Sequence, residues 1–299
     1  MLGVLDCGFN PPPRKPPGGN PVQKQKFPMK KIMVATDYSD SSNTAVTYSI
    51  SLANHFGSLV SLVSAVEEPY SSSAGVLVNM RDHIREQAME TMGKVQSEVA
   101  GQLKNGATMD THTVDGAPGP TITRVAKAKD YDLIVMGTRG STAAREMFTG
   151  SVANSVIKNT QLPVLVVPTT CPFRDIRRVI LSVDEQPFDG PHVLEPLLSI
   201  LRAYNAELIV YHGDEDGDGK GYDPRLPEYL AGVDYRLEVR SGKSESISEG
   251  IKNAVKLHQA DLLCMVYHDH GFFGRLFNES TVSKVVFASE VPMLVLQDA

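Results

Sequence analysis

The sequence lacks the features that mark several large classes of protein. No apolar run approaches the roughly 20 residues of a membrane-spanning helix, which excludes a spanning protein. The three cysteines, Cys7, Cys171 and Cys264, are far apart and odd in number, which excludes a disulfide framework and a cysteine zinc site. The 29 Lys and Arg are outnumbered by 35 Asp and Glu, and the net charge of -6 argues against a general nucleic-acid binder. These absences favour a protein of the reducing cytoplasm.

Two common phosphate-binding motifs are also missing. Gly-x4-Gly-Lys-Ser/Thr does not occur, which argues against a Walker-type ATPase. Gly-x-Gly-x2-Gly does not follow the first predicted strand, which removes the dinucleotide-binding fingerprint. Any nucleotide site must therefore use a different loop.

What the sequence does contain is a long internal repeat. From residue 31, short apolar runs alternate with longer amphipathic stretches, which is typical of a parallel sheet covered by helices on both faces. The pattern begins again near residue 178. Asp37 and Asp184, which end the first strand of each half, are 147 positions apart, whereas Pro163 and Pro292, which open the last strand, are 129 apart. The second half is therefore about 18 residues shorter, and the loss falls after Tyr211.

The repeat predicts an α/β protein with two tandem domains. We expect the first domain at residues 30–168, a linker at 169–175 and the second, shorter domain at 176–299. Residues 1–29 hold 7 of the 19 prolines. Such proline-rich sequence with few apolar residues cannot bury enough surface to offset chain entropy, so we expect this segment to be a disordered tail.

The segment richest in chemical information follows the fourth predicted strand. It is Met136-Gly137-Thr138-Arg139-Gly140, then nine residues, then Gly150-Ser151-Val152 at the start of a helix. The glycines would let backbone approach a phosphate chain, the helix N-terminus would offer free N–H groups, and Arg139 would add positive charge. Glycines that serve only a tight turn are the alternative interpretation.

This segment resembles the nucleotide loop of universal stress proteins, Gly-x2-Gly-x9-Gly-Ser after a strand that ends in Val-Met. The resemblance covers residues 30–168 and includes Val34-Ala35-Thr36-Asp37-x-Ser39, Asp132–Gly137 and Pro163–Pro168. The second half matches the pattern more weakly, so the chain resembles a tandem universal stress protein. The resemblance implies two Rossmann-like, HUP-type domains, each a five-stranded parallel sheet in the order 3-2-1-4-5 with helices on both faces. It also implies pairing of fifth strands, within the chain and between the chains of a homodimer.

The same resemblance implies an ATP site in the first half and a regulatory role in stress tolerance. Ala35, Thr36 and Asp37 would lie at the adenosine end, and the backbone of Val66 would hold adenine. A Mg2+ ion would ride on the phosphates, for which the sequence shows no dedicated protein ligands. An acid that caps a helix or forms a salt bridge is the alternative interpretation of Asp37. The residues that would border the ribose and phosphates are Met136, Gly137, Arg139, Gly140, Gly150, Ser151 and Val152.

The second half departs from this pattern. Aligning Met136-Gly137 with Val266-Tyr267 places His270 at Gly140, Ser280 at Gly150 and Thr281 at Ser151, so three glycines are lost. Side chains would then fill the phosphate path. The cluster His268-Asp269-His270 lacks the spacing of a metal site and is interpreted as a loop that lost its glycines. We therefore expect only the first half to bind ATP.

No nucleophile or base accompanies the glycine segment, since Asp37 belongs at the adenosine end. We expect little or no hydrolysis and a nucleotide that acts as a regulatory ligand. Two alternatives stay open. One is a slow ATPase or nucleotidyl-transfer enzyme of the same fold, and the other is an interaction module that needs no nucleotide.

Overall fold

The computed structural model describes residues 29–67, 74–138, 151–214, 221–241, 246–268 and 291–298. In these ranges strands and helices alternate as the repeat predicts. The strands are β1 Lys31–Ala35, β2 Leu59–Val66, β3 Thr108–Asp115, β4 Leu133–Gly137, β5 Val164–Val167, β6 Arg178–Val183, β7 Glu207–Asp214, β8 Tyr235–Ser241, β9 Leu262–Tyr267 and β10 Met293–Gln297. The helices are α1 Asp40–Phe56, α2 Ala74–Val99, α3 Pro118–Ala128, α4 Ser151–Asn159, α5 Glu195–Tyr204, α6 Leu226–Tyr229 and α7 Ile247–His258.

The described strands form one sheet in the order β3-β2-β1-β4-β5-β10-β9-β6-β7-β8. Each half contributes five neighbouring parallel strands, and the order 3-2-1-4-5 implied by the family resemblance is confirmed in both. The halves meet where β5 and β10 pair antiparallel, with Leu165 opposite Leu294. The predicted pairing of the two fifth strands within the chain is therefore present, and it gives each of them strand neighbours on both sides.

Helices cover both faces of this sheet. Residues of α1, α2 and α5 pack in the core on one face, and residues of α3, α4 and α7 pack in the core on the other. Strand side chains alternate between the two cores, as Val34 and Met33 of β1 do. Among the described residues, no helix combines the length and the apolar composition that crossing a membrane would need.

Local chemistry explains where the helices begin and end. The Ser39 hydroxyl caps α1 by accepting a hydrogen bond from the N–H of Ser42 at 3.3 Å. The same helix ends at Gly57, whose φ of 67° lies in the left-handed region that favours glycine. Ser246 and Glu249 form a reciprocal capping box at the start of α7.

In each half an aspartate before the fourth strand accepts two backbone hydrogen bonds from the start of the first strand. Asp132 Oδ2 accepts hydrogen bonds from the N–H groups of Lys30 and Lys31 at 2.6 and 2.9 Å. Asp261 Oδ2 accepts the equivalent two bonds ahead of β6, at 2.9 and 3.0 Å. Because the two aspartates make the same contacts, they align the halves residue by residue.

The halves differ most between their second and third strands. In the first half this connection carries the long helix α2, Ala74–Val99. In the second half the described connection contains only the four-residue α6. β7 extends to Asp214, which pairs with Ser241 of β8.

Candidate functional site

The carboxyl ends of β1 and β4 form the switch point of the first half, and we call the edge of the sheet at this point the crevice. β1 lies between β2 and β4, and the connections that follow β1 and β4 leave the sheet in different directions. Such switch points bind ligands in open α/β sheets. The predicted site residues Ala35, Thr36 and Asp37 lie at the end of β1, and Met136 and Gly137 lie at the end of β4. The structure therefore brings these five residues to one edge of the sheet.

Thr36 and Asp37 build the turn that starts α1. The Thr36 N–H donates to the carbonyl of Val63 at 3.0 Å, and its hydroxyl donates to Ser42 Oγ at 3.1 Å. The exposed carboxylate of Asp37 accepts from the N–H of Ser39 at 3.2 Å and from its hydroxyl at 2.6 Å. Ser39 is the N-cap of α1. Asp37 therefore supports a helix cap, as its alternative interpretation predicts, while its carboxylate lies at the surface beside the crevice.

Tyr38 holds this turn in a conformation that bulky residues rarely adopt. Its φ is 64°, in the left-handed region. Its N–H donates to Thr36 Oγ1 at 3.1 Å, and its hydroxyl donates to the Ala88 carbonyl of α2 at 2.9 Å. Burial raises the pKa of the Tyr38 hydroxyl, so it stays neutral and able to donate. Helix α2 thus braces the strained turn that positions Asp37. Sequence reasoning missed this role, for which an aromatic residue within a polar turn was the available signal.

Gly137 is required by the packing of α1. A Cβ at this position would lie 2.7 Å from both the carbonyl carbon and the carbonyl oxygen of Ser41, in the first turn of α1. Real Cβ atoms essentially never approach so closely. The sequence interpretation gave this glycine the task of letting a phosphate approach, whereas the described contact shows that α1 itself uses the space.

The backbone group that faces the crevice at the end of β2 belongs to Ala65. The Val66 carbonyl already accepts a hydrogen bond from the N–H of Gly116 at 2.9 Å, on the β3 side. Val63 faces the other side, where its carbonyl accepts from Thr36. Because successive residues of a strand face opposite neighbours, Ala65 faces the β1 side, and the β1–β2 register ends before it, at Ala35 and Val63. The Val66 carbonyl is therefore engaged on the β3 side, and the expectation that the Val66 backbone holds adenine stays a prediction.

Helix α4 is the next described element after β4. This helix begins at Ser151, and Val152 in its first turn is half-buried. The first N–H groups of a helix lack partners within the helix and carry partial positive charge, which suits a phosphate. The predicted phosphate ligands Arg139, Gly140 and Gly150 lie outside the described residues. Among the residues that are described, no group of three or more His, Cys, Asp or Glu is arranged to hold a metal ion.

The strand register corrects the alignment of the two halves. Ile32 of β1 pairs with Leu133, and its counterpart Val179 of β6 pairs with Leu262. The counterpart of Gly137 is therefore Val266, not Tyr267, because the fourth strands correspond at 129 positions rather than 130. The fifth strands keep the same offset. Along the sequence, this offset matches Arg139 with His268, Gly140 with Asp269, Gly150 with Glu279 and Ser151 with Ser280. The three glycines are still lost, but two of their counterparts are acidic.

The equivalent crevice of the second half is filled by its own side chains. His268 lies between two aspartates, with Nδ1 3.1 Å from Asp298 Oδ2 and Nε2 3.7 Å from Asp184 Oδ1. These three side chains are 11%, 4% and 7% exposed. The His268 ring also stacks on Phe188, with the ring centroids 6.1 Å apart. Asp184, the counterpart of the exposed Asp37, is therefore enclosed and in contact with a histidine.

Phe188, which stacks on His268, is held by hydrogen bonds to Asp223 and Arg225. The fully buried Asp223 accepts hydrogen bonds from the N–H of Phe188 at 2.8 Å and from Arg225 Nη2 at 2.9 Å, and Arg225 also donates to the Phe188 carbonyl at 2.6 Å. Burial alone would raise the pKa of Asp223, but these hydrogen bonds outweigh it and hold the pKa below its ordinary value of 3.8. Sequence reasoning did not single out this cluster, because its members become neighbours only in the fold.

Comparison with known proteins points to one family. The model of the universal stress protein family matches residues 28–168. Universal stress protein MJ0531 of Methanocaldococcus jannaschii is 36% identical over 141 residues, which are 46% of this chain and 81% of that protein. Universal stress protein Slr1230 of Synechocystis sp. is 25% identical over 299 residues, which are 90% of this chain and 100% of that protein. The crystal structure of a universal stress protein from Archaeoglobus fulgidus is 19% identical, covers 92% of this chain and 100% of that chain, and superposes with a TM-score of 0.69.

These relatives differ in how much of the chain they span. The archaeal protein MJ0531 corresponds to about one half of it, whereas Slr1230 and the Archaeoglobus structure extend over both halves. The Archaeoglobus structure therefore shares the fold of both halves of this chain.

Proposed function

The chain belongs to the universal stress protein family, and we propose that it is a cytoplasmic regulatory protein that binds one ATP, in the crevice of its first half. The observation that carries this proposal is the contrast between two equivalent crevices in one chain. Asp37 in the first half is exposed, at the turn that leads into α1. Asp184 at the same position of the second half is enclosed by His268. The carboxylate that follows the first strand is therefore exposed in the first half and enclosed in the second.

The described residues of the first crevice fit the parts of ATP. The backbone at the end of β2, at Ala65 and the predicted Val66, would meet the hydrogen-bonding edge of adenine. Thr36 and Ala35 would line the pocket beside it, and the Asp37 carboxylate would accept from the ribose hydroxyls. The phosphates would lie at the N-terminus of α4, held by its first N–H groups. The residues proposed to surround them are Met136, Gly137, Arg139, Gly140, Gly150, Ser151 and Val152, with Mg2+ carried by the phosphates themselves.

Charge supports the restriction to the first half. Asp269 and Glu279 stand where the first half has Gly140 and Gly150. A carboxylate in the path of a triphosphate would repel it, and at about 4 Å two like charges cost several kcal/mol where water is scarce. The whole chain is also acidic, with a net charge of -6. An anionic ligand must therefore be held by local loop geometry.

We propose that ATP is a regulatory ligand, which changes the conformation of the protein or its binding to a partner. The protein would hydrolyse this ATP slowly at most. Asp37 sits at the proposed adenosine end, and its carboxylate already accepts two hydrogen bonds from Ser39. Efficient phosphoryl transfer needs a group that positions the nucleophile beside the terminal phosphate. A steady turnover well above about 1 s⁻¹, the low end of ordinary enzymes, would favour the ATPase or nucleotidyl-transfer alternative instead.

A matched pair of substitutions tests the proposal. Asp37→Asn keeps an oxygen that can accept from Ser39 but removes the charge, and Asp184→Asn makes the same change in the filled crevice. We expect Asp37→Asn to weaken ATP binding about tenfold or more in isothermal titration calorimetry, whereas Asp184→Asn leaves the affinity unchanged. Circular dichroism of both variants checks the fold. Equal losses in both variants, or no loss in either, would contradict the proposed site.

A further inference from the structure

The edge strand β8 carries an exposed apolar surface. Four large apolar side chains among the described residues are strongly exposed, and two of them, Leu237 at 45% and Val239 at 52%, lie on β8. Tyr235, two positions earlier, shares their face of the sheet and packs partly against the core. We call Tyr235, Leu237 and Val239 the β8 surface. In the described part of the chain, β8 has a strand partner on one side, β7.

The first half shows what normally covers this position. The register makes Met109, Thr111 and Thr113 of β3 the counterparts of the β8 surface. Helix α2 packs over β3 and β2, on the face that Met109 shares with the core. In the second half, the described part of that connection, residues 221–234, contains only the four-residue α6. The exposed positions on β8 are therefore Leu237 and Val239, whereas their counterparts beneath α2 are Thr111 and Thr113. Contact with water would favour the opposite arrangement, with threonine at the exposed positions.

We infer that the β8 surface is an interface with a second chain of the same protein, in which the two β8 strands pair antiparallel about a twofold axis at Leu237. The backbone is oriented for this pairing. In the first half the N–H of Gly116 bonds to Val66, so alternate residues of β3, including Thr111, face away from β2. Their counterparts Tyr235, Leu237 and Val239 therefore direct their N–H and C=O groups to the open side of β8.

The charges of β8 select this register. With the axis at Leu237, each Arg236 lies opposite a Glu238 of the other chain, and each Asp234 lies opposite an Arg240. On the other face Leu237 meets Leu237, and Tyr235 meets Val239 on both sides of the axis. Every cross-strand pair from residue 234 to residue 240 is then either oppositely charged or apolar.

An axis at Tyr235 would pair Arg236 with Asp234 and Leu237 with Val233, but both of these partners lie before β8 begins. Registers shifted toward the C-terminus lack the match. An axis at Glu238 would place Glu238 against Glu238 and Arg236 against Arg240, and like charges directly opposite destabilise a strand pair. An axis at Val239 would place Leu237 against the polar Ser241. Within one chain these charges are already balanced, since Arg240 Nε bonds to Glu238 Oε1 at 2.8 Å and His258 Nε2 lies 2.6 Å from Glu238 Oε2. The strand therefore carries no block of one sign that would keep a second chain away.

The other strand edges are less suited to this role. The family resemblance implied that chains pair through fifth strands, but β5 and β10 already pair with each other inside this chain. The opposite edge of the sheet, β3, presents threonines beneath α2. An unpaired edge strand with apolar side chains is a template for adding another strand. Among the described strands, β8 is the edge with these properties.

The test is the mass of the full chain in solution, measured by light scattering across a concentration series. We expect a dimer for the wild type and for Leu257→Lys, which changes a leucine that is 64% exposed on α7. Leu237→Lys would place two lysines at the axis, and we expect it to raise the dimer dissociation constant about tenfold or more. A monomeric wild type, or a Leu237→Lys dimer as tight as the wild type, overturns the inference.

A cross-link tests the register independently. At an antiparallel hydrogen-bonded pair the two Cα atoms are about 5.5 Å apart, a distance that a disulfide can span. In a background of Cys7→Ser and Cys171→Ser, Leu237→Cys should form an interchain disulfide under mild oxidation, and Leu257→Cys should not. A dimer in which Leu237→Cys fails to cross-link overturns the proposed axis.

Discussion

Replacing Gly137 with alanine tests how the crevice of the first half is built. The new Cβ would lie 2.7 Å from the Ser41 carbonyl carbon and oxygen, where 3.4–4 Å is ordinary van der Waals contact. Two backbone atoms at the start of α1 cannot rotate away as a side chain could. Relief requires the first turn of α1 to move by several tenths of an ångström from the end of β4, and overpacking of this kind costs about 1–3 kcal/mol. We therefore expect Gly137→Ala to lower the free energy of unfolding of the first half by that amount.

Gly93→Ala is the matched control. Gly93 lies in the interior of α2, is exposed, and a Cβ there would meet nothing within 4 Å. Alanine at such a helical position should raise stability by about 0.5–1 kcal/mol, because it removes backbone freedom from the unfolded chain. The same Gly-to-Ala change should therefore have opposite signs at the two sites.

Urea denaturation followed by circular dichroism measures both effects, and calorimetry assigns the transition to one half. A loss of 1–3 kcal/mol corresponds to a fall of roughly 3–10 °C in the melting temperature of that transition. Because the displaced turn carries Asp37 and Ser39, Gly137→Ala should also weaken ATP binding. If Gly137→Ala is as stable as the wild type, or is stabilised like Gly93→Ala, the argument from the Ser41 contact is refuted.

Three further substitutions have defined outcomes. Hydrogen bonds hold the pKa of Asp223 below its ordinary value, so its contribution to stability is complete above about pH 4 and is lost as the pH falls through the lowered pKa. Asp223→Asn should flatten this acid dependence in pH-dependent unfolding, and an unchanged profile counts against the assignment. Tyr38→Phe removes the 2.9 Å bond to the Ala88 carbonyl and should cost about 1 kcal/mol in urea unfolding; no loss would mean that α2 does not brace the turn. Ser246→Ala removes the capping box of α7 and should cost about 1 kcal/mol of the second half's stability, whereas a loss confined to the first transition would contradict this.

The strand and helix pattern was predictable because it rests on local chemistry. Alternation of apolar runs and amphipathic stretches predicts a parallel sheet, and each half contributes five parallel strands. Ser39 and Gly57 mark the ends of α1 through capping preferences that act within a few residues. The repeat itself predicts that the second half uses the same strand order.

The site was less predictable because its details depend on contacts between distant segments. Whether Ala65 or Val66 faces the crevice is decided by which neighbour each hydrogen-bonds, and both neighbours come from other parts of the chain. The need for glycine at Gly137 arises from Ser41, nearly a hundred positions earlier. The pairing of the strands also shows that Val266, and not Tyr267, is the counterpart of Gly137.

The consequence of the shorter second half was also not predictable from the sequence. The sequence indicates that about 18 residues are missing after Tyr211. It does not indicate that the strand left without its helix carries Leu237 and Val239 on the uncovered face, since that follows from the register of β7 and β8.

The number of ATP molecules bound per chain at saturation tests the central claim most directly. Calorimetric titration and native mass spectrometry of the full chain both count it. The contrast between the exposed Asp37 and the enclosed Asp184 predicts one ATP per chain, bound about tenfold or more weakly after Asp37→Asn and with unchanged affinity after Asp184→Asn. Two ATP molecules per chain, or one that is lost only when the second half is changed, would contradict the account.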